Sequence, residues 1–205
     1  MNTENALFIA QNKCKELPPW NVAKNHIRPY LISSEDASYA LMIRNSDAFF
    51  SSYLTERIRM VMVLAYGDCI VPLREELLKK WDVNFAQTRI AMEDTMTKLV
   101  PQTNLEEHKK EGFVYFTVHH PQSILNSVIP FYKPFQHVLK KELGEPYYMA
   151  VPEQRTAVLF SKNYALQYEK VLRNDVLLTY ECSSQYLSPE LIEVSDAGVF
   201  AVMDN

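Results

Sequence analysis

Apolar and polar positions along the chain fall into blocks with two different periods. ERIRMVMVLAY, residues 56–66, alternates at first and then becomes continuously apolar, the pattern of a strand that enters the interior of a sheet. After Gly67-Asp68 the run CIVPL predicts a second extended segment. REELLKKW then turns helical in composition, and Phe85, Met92, Met96 and Leu99 recur at helical spacing in a second helix that ends at Pro101. QTNLEEHKKEG, residues 102–112, is polar and charged throughout and is expected to be a solvated loop, with His108 inside it. GFVYFTV, residues 112–118, is the clearest strand in the sequence.

Beyond it, Pro121 is expected to open a helix with an apolar stripe at Ile124, Leu125, Val128, Phe131, Phe135, Val138 and Leu139. Pro130 and Pro134 remove backbone donors from that stretch and should kink or split it. EPYYMAVP and RTAVLFS read as two strands joined by a tight Pro-Glu-Gln turn. A helix over about residues 163–180 follows, and ELIEV and GVFAV close the chain as a hairpin turning near Gly198. Before these blocks, residues 3–17 read as a helix stopped by Pro18-Pro19, and RPYLI and SYALMI read as extended runs. Strand pairs and helices mix without a regular βαβ alternation. The expected architecture is therefore α+β, a mostly antiparallel or mixed sheet packed against several helices. It is expected to form a single domain over residues 1–205, with residues 1–20 as an N-terminal helical appendage.

Composition narrows the chemistry. Glycine occurs only at Gly67, Gly112, Gly144 and Gly198, each isolated, so no glycine-rich phosphate loop can be assembled. Kinases, P-loop ATPases and the glycine-fingerprint dehydrogenases are thereby excluded. Gly144 instead follows the basic end of a helical run, where a left-handed cap is expected. A net charge of -4 and a pI near 5.8 leave no strongly basic domain, and binding to nucleic acid is not expected. That reading would need a local patch built from Arg57, Arg59, Lys79, Lys80 and Arg89.

No apolar stretch approaches the length of a membrane span, and the first residues lack a signal-peptide pattern. Cys14, Cys69 and Cys182 are widely spaced, form no metal-ligand spacing and are expected to be reduced thiols. Together these features predict a cytoplasmic, soluble protein without a cofactor.

IVPLREELLKKWDVNFAQTRIAMEDTM, YYMAVPEQRTAVLFS and LSPELIEVSDAGVFAV, in this order, resemble the YtpQ-like proteins, an uncharacterised bacterial family, over roughly residues 58–203. Glu153 stands where that pattern often carries histidine, and HHPQ is not a family feature. The resemblance implies a small cytosolic α+β protein and carries over no catalytic residue.

His119-His120 is the one pair with potential chemistry, standing between the strand GFVYFTV and the proline of the next segment. Adjacent residues of a strand point to opposite faces, so the pair cannot jointly ligate one metal, and no metal site is expected. One reading makes the pair a structural hinge: His120 caps the following helix, Pro121 takes its first position, and His119 marks the exposed strand end. A second makes His119, His120, Gln122 and Ser123 ligand-binding residues, holding an anion at a helix N-terminus or supplying a general base. The hinge is the expected role.

The acidic pairs Glu75-Glu76, Glu93-Asp94 and Glu106-Glu107 read as solvated faces. Ser51-Ser52 and Ser183-Ser184 lack the glycines of a hydrolase elbow. Tyr147, Tyr148 and Trp81 read as core or interface residues, and Cys182 as a buried thiol. The expected function is a non-enzymatic module that binds another protein, of the toxin-neutralising immunity type or an adaptor. The alternative is a small-ligand or anion-binding protein, or a hydrolase-type enzyme, using the strand-end histidines.

Overall fold

The computed structural model describes residues 17–35, 51–67 and 69–202. The helix expected over 3–17 and the extended run SYALMI lie outside the described residues. The fold is α+β, with antiparallel sheets of four and six strands. Contacts group the chain into two compact units, the first comprising residues up to Tyr53 and Arg59–Pro101, the second Leu54–Ile58 and Gln102 onward.

In the first unit, β1 (Ile27–Ser33) and β2 (Ser51–Tyr53) flank β3 (Ile58–Tyr66), and β4 (Cys69–Pro72) also pairs with β3. Val61 to Leu64 of β3 are all buried, as the continuous apolar run predicts. The short helix α1 (Trp20–Ala23), α2 (Glu75–Trp81) and α3 (Phe85–Leu99) bury Ala23, Leu77, Leu78 and Ala91 against Met62, Leu64 and Leu73. Helix α2 ends at Asp82, whose φ of 55° lets the chain leave in the left-handed conformation.

Helix α3 begins with a capping box. The Asn84 carbonyl oxygen accepts from the Gln87 N–H at 3.0 Å, and the Gln87 side chain accepts from the Asn84 N–H at 2.8 Å. Trp81 donates its indole N–H to the Pro18 carbonyl at 2.9 Å and packs against Trp20. Cys69 is disulfide-bonded, whereas Cys182 is free and exposed. The sequence-based expectation of reduced thiols thus fails at Cys69, and that of a buried thiol fails at Cys182.

The second unit is built on a six-stranded sheet in the order β10-β9-β7-β8-β6-β5. Its strands are β5 (Asn104–Lys110), β6 (Phe113–His119), β7 (Tyr147–Glu153), β8 (Thr156–Ser161), β9 (Leu191–Ser195) and β10 (Gly198–Ala201). The segment expected to be a loop is β5, an edge strand paired over its whole length with β6. Its charge misled the reading because an edge strand need bury neither face; its hydrogen bonds come from β6, whatever its side chains are.

One sheet face carries Phe113, Ala150, Val158 and Phe160, packed by Tyr168 of α5 (Ala165–Val171) and Val176 of α6 (Arg173–Cys182). The opposite face presents the buried Tyr147, Met149, Leu159, Ile192 and Val194. Helix α4 (Lys133–Leu143) packs against β7 and buries Phe135, Leu139 and Leu143, an i, i+4, i+8 stripe.

The prolines split the expected long helix. Ser123–Leu125 and Ile129–Phe131 are single 3₁₀ turns, and the α-helix starts only at Lys133. Gly144 ends it with φ 83° and ψ -176°, a positive φ as expected but with an extended ψ in place of the left-handed helical one. The turn between β7 and β8 is Gln154-Arg155; Pro152 and Glu153 lie within β7, where a register shift between Ala150 and Glu153 absorbs the proline.

Candidate functional site

His119 and His120 are adjacent in sequence and opposite in environment. His120 is 7% exposed and serves the backbone. Its Nδ1 accepts from the Gln122 N–H at 2.9 Å, and its own N–H donates to Asn126 Oδ1 at 2.9 Å. Asn126 in turn donates to the Arg155 carbonyl at 2.9 Å, and the Ser127 hydroxyl to the Gln154 carbonyl at 2.7 Å. This buried polar knot ties the strand exit to the β7–β8 turn. Gln122 contributes its backbone N–H, and Ser123 is an exposed residue opening a three-residue 3₁₀ turn. Of the four residues singled out in the sequence, His120 and the Gln122 N–H meet while His119 faces the β5–β6 hairpin, and the α-helix N-terminus expected beside them is ten positions or more further on, at Lys133.

His119 joins a different set. The β5–β6 ladder pairs Asn104 with His119, Glu106 with Thr117 and His108 with Tyr115, so Glu106, His108, Thr117 and His119 share one face of the hairpin. His119 Nε2 lies 3.0 Å from Glu106 Oε2 and 2.9 Å from Thr117 Oγ1, which lies 2.8 Å from His108 Nε2. The His108 ring stacks on Tyr115 with centroids 4.9 Å apart, which fixes its plane. Among the described residues, the ligating atoms of Glu106, His108 and His119 all fall within 4.8 Å of one another. The sequence reading missed this set because His108 and Glu106 stood in a supposed loop. The missed signal is the period of two in Asn104, Glu106, His108 and Lys110.

A second feature of the same unit is a cleft of about 740 Å³. Its walls come from the turn Leu54–Arg57, from Tyr168, Arg173 and Leu177 of the helix pair, and from Val199 to Val202 at the outer end of the sheet. The Glu190 carboxylate on its wall accepts from the hydroxyls of Thr55 and Ser188, each at 2.8 Å. Arg173 pairs with Glu169. Phe200 is 49% exposed at the lip and Val202 is 37% exposed.

Val199, Phe200 and Ala201 of β10, with Val202 just beyond it, line one cleft although strand side chains alternate between faces, so the cleft runs along the strand's edge. The Val202 N–H donates to the Leu191 carbonyl at 2.7 Å, so by the alternation of an antiparallel ladder the N–H groups of Val199 and Ala201 point away from β9. No strand lies beyond β10 among the described residues.

Of the other sequence candidates, Ser183 Oγ donates to Glu153 at 2.8 Å and closes the chain after α6. Lys79 and Arg89 of the supposed basic patch pair with Glu75 and Glu93 one helical turn away. Among the described residues, no helix is long and apolar enough to cross a membrane. Comparison of this chain with protein families, with characterised proteins and with solved structures finds no match.

Proposed function

We propose that this chain is a non-enzymatic binding module that receives an extended segment of another protein along β10. The supporting observation is the contrast between the two edges of the six-stranded sheet. At one edge, β5 carries Glu106, Glu107, Lys109 and Lys110, charges that discourage a further strand from pairing. At the other, β10 reads Gly-Val-Phe-Ala, has no charged side chain, and borders the cleft with its outward backbone groups.

Strand addition uses such an edge: main-chain hydrogen bonds supply affinity, and pockets beside the edge select side chains. Here the Leu177, Leu191 and Phe200 lining offers apolar contact, and Glu190 and Arg173 offer polar contact at the same cleft. Phe200 is an aromatic anchor of the kind enriched at interfaces. A small molecule in the same cleft is the competing occupant, since the volume suits one.

Panning a library of linear peptides against the protein, followed by residue-resolved amide exchange on the selected complex, tests the proposal. Binding should protect the amides of Val199 and Ala201. Ala201→Pro removes one outward donor while leaving the β9 pairing intact, and should weaken binding about threefold to tenfold, one hydrogen bond's worth. Selected peptides that protect other amides, or that bind Ala201→Pro as tightly as wild type, would refute strand addition. Failure to select any peptide, together with small-molecule binding in the cleft, would favour the competing occupant.

A further inference from the structure

The hairpin β5–β6 carries a donor set that neither the cleft nor the polar knot uses. We propose that Glu106, His108 and His119 form a binding site for a divalent transition-metal ion of the zinc class, with two imidazole nitrogens and one carboxylate as protein ligands.

Register brings the set together. Glu106 and His108 are two apart on β5 and therefore project from the same face, and His119 lies diagonally across the ladder from Glu106. The Nε2 atoms of both histidines and the Glu106 carboxylate face the Thr117 hydroxyl or one another at 2.8–3.0 Å, with no ligand pair more than 4.8 Å apart. A tetrahedral ion with bonds near 2.1 Å separates its ligand atoms by about 3.4 Å. The His119–Glu106 distance of 3.0 Å already approximates that spacing. The remaining adjustment is small, and Glu106 and His119 have the freedom to make it, since their side chains are 60% and 53% exposed. His108 is the fixed member, held by its stack on Tyr115.

Thr117 Oγ1 stands between the two imidazoles and bridges them by hydrogen bonds, so it marks the space the ion would take over. On binding, the hydroxyl gives up those bonds and turns aside by rotation about its Cα–Cβ bond, leaving both Nε2 lone pairs for the metal.

The donor types decide the ion. Magnesium and calcium prefer all-oxygen shells, whereas imidazole with a carboxylate suits Zn²⁺ and its neighbours Ni²⁺ and Cu²⁺. Three protein ligands on an exposed hairpin face leave the fourth position to water, the open coordination of an exchangeable site. The sheet supplies rigidity, since both strands of the hairpin are paired along their whole length.

Isothermal titration of Zn²⁺ into untagged, chelator-treated protein tests the site. Wild type should bind one equivalent. His108→Ala, His119→Ala and Glu106→Gln should each weaken that binding at least tenfold, as much as losing an outer-shell partner costs elsewhere. His137→Ala, an exposed histidine on α4, should bind as wild type does. Co²⁺ in place of Zn²⁺ should give visible d–d bands that vanish in the His108→Ala and His119→Ala proteins, both of which should stay folded, melting within about 5 °C of wild type. Absence of stoichiometric binding to wild type would overturn the proposal. So would ligand variants that bind as tightly as wild type, or His137→Ala losing as much affinity as they do.

Discussion

Replacing His119 and His120 one at a time by alanine should give very different proteins, although the residues are neighbours. His120 provides the acceptor for the Gln122 N–H and lies in a buried position. Truncation leaves that half-buried N–H without its partner, at about 1–3 kcal/mol, and adds roughly 1 kcal/mol for the space vacated by the ring. The expected loss is about 2–4 kcal/mol, or some 5–12 °C in melting temperature for a chain of this length. At His119 the truncated contacts are exposed ones to Glu106 and Thr117, and the cost should stay below about 1 kcal/mol.

A rescue separates the hydrogen bond from the packing. Asparagine's side-chain oxygen reaches the N–H two residues ahead, in the same pattern as His120 Nδ1 to Gln122, so His120→Asn should recover at least half of the loss. The assay has to report on the second unit. Both tryptophans, Trp20 and Trp81, belong to the first, so tryptophan fluorescence would report on the wrong unit. Amide exchange of β6, β7 and β8 reads the opening free energy in the right place. Equal losses for His119→Ala and His120→Ala, or a His120→Asn protein as unstable as His120→Ala, would refute the hinge argument.

Tyr147 is fully buried, and its hydroxyl has no hydrogen-bond partner, so Tyr147→Phe should raise stability by about 1 kcal/mol in the same exchange assay. Burial holds that hydroxyl well above the ordinary value of 10. Below pH 10 the phenol is neutral in both states and adds no pH dependence; as the pH rises beyond 10 the unfolded chain ionises first and stability falls, so the Tyr147→Phe protein should lose less stability there. Tyr148→Phe should act oppositely near neutral pH, costing about 1 kcal/mol, because its hydroxyl donates to Glu193 at 2.8 Å. That hydroxyl's pKa is pushed up to about 12, by burial first and then by the Glu193 bond. Asn84→Ala should cost about 1 kcal/mol in urea unfolding followed by tryptophan fluorescence, since it removes the capping box of α3.

Much of the second unit was legible along the chain. The apolar runs of β7 and β8 and the α4 positions Phe135, Leu139 and Leu143 are buried where their pattern indicates, because the core is the strongest constraint on side-chain pattern. Strand β6 and the closing hairpin form as expected, but β10 buries none of its side chains. The split of residues 121–143 was legible too, since Pro130 and Pro134 each lack the donor that a continuous helix needs.

The candidate chemistry was half legible. The sequence singled out His119-His120 and could separate their faces, but it could not place Glu106 and His108 on the hairpin face that His119 shares. A strand at a sheet edge is held by backbone hydrogen bonds to one neighbour, so β5 leaves little trace in hydrophobicity, and only the register with β6 decides which polar side chains meet.

By itself, then, the sequence determined the α+β class, most element boundaries and the absence of a glycine-rich phosphate loop, because these depend on local period and residue type. Tertiary structure alone decided three things: that His120 is buried and His119 exposed, that the side chains of Glu106, His108 and His119 converge on the β5–β6 hairpin, and that β10 lines a cleft with an edge unpaired among the described residues. Each is a relation between residues far apart in the chain, set by strand order and register, on which a one-dimensional pattern carries no information.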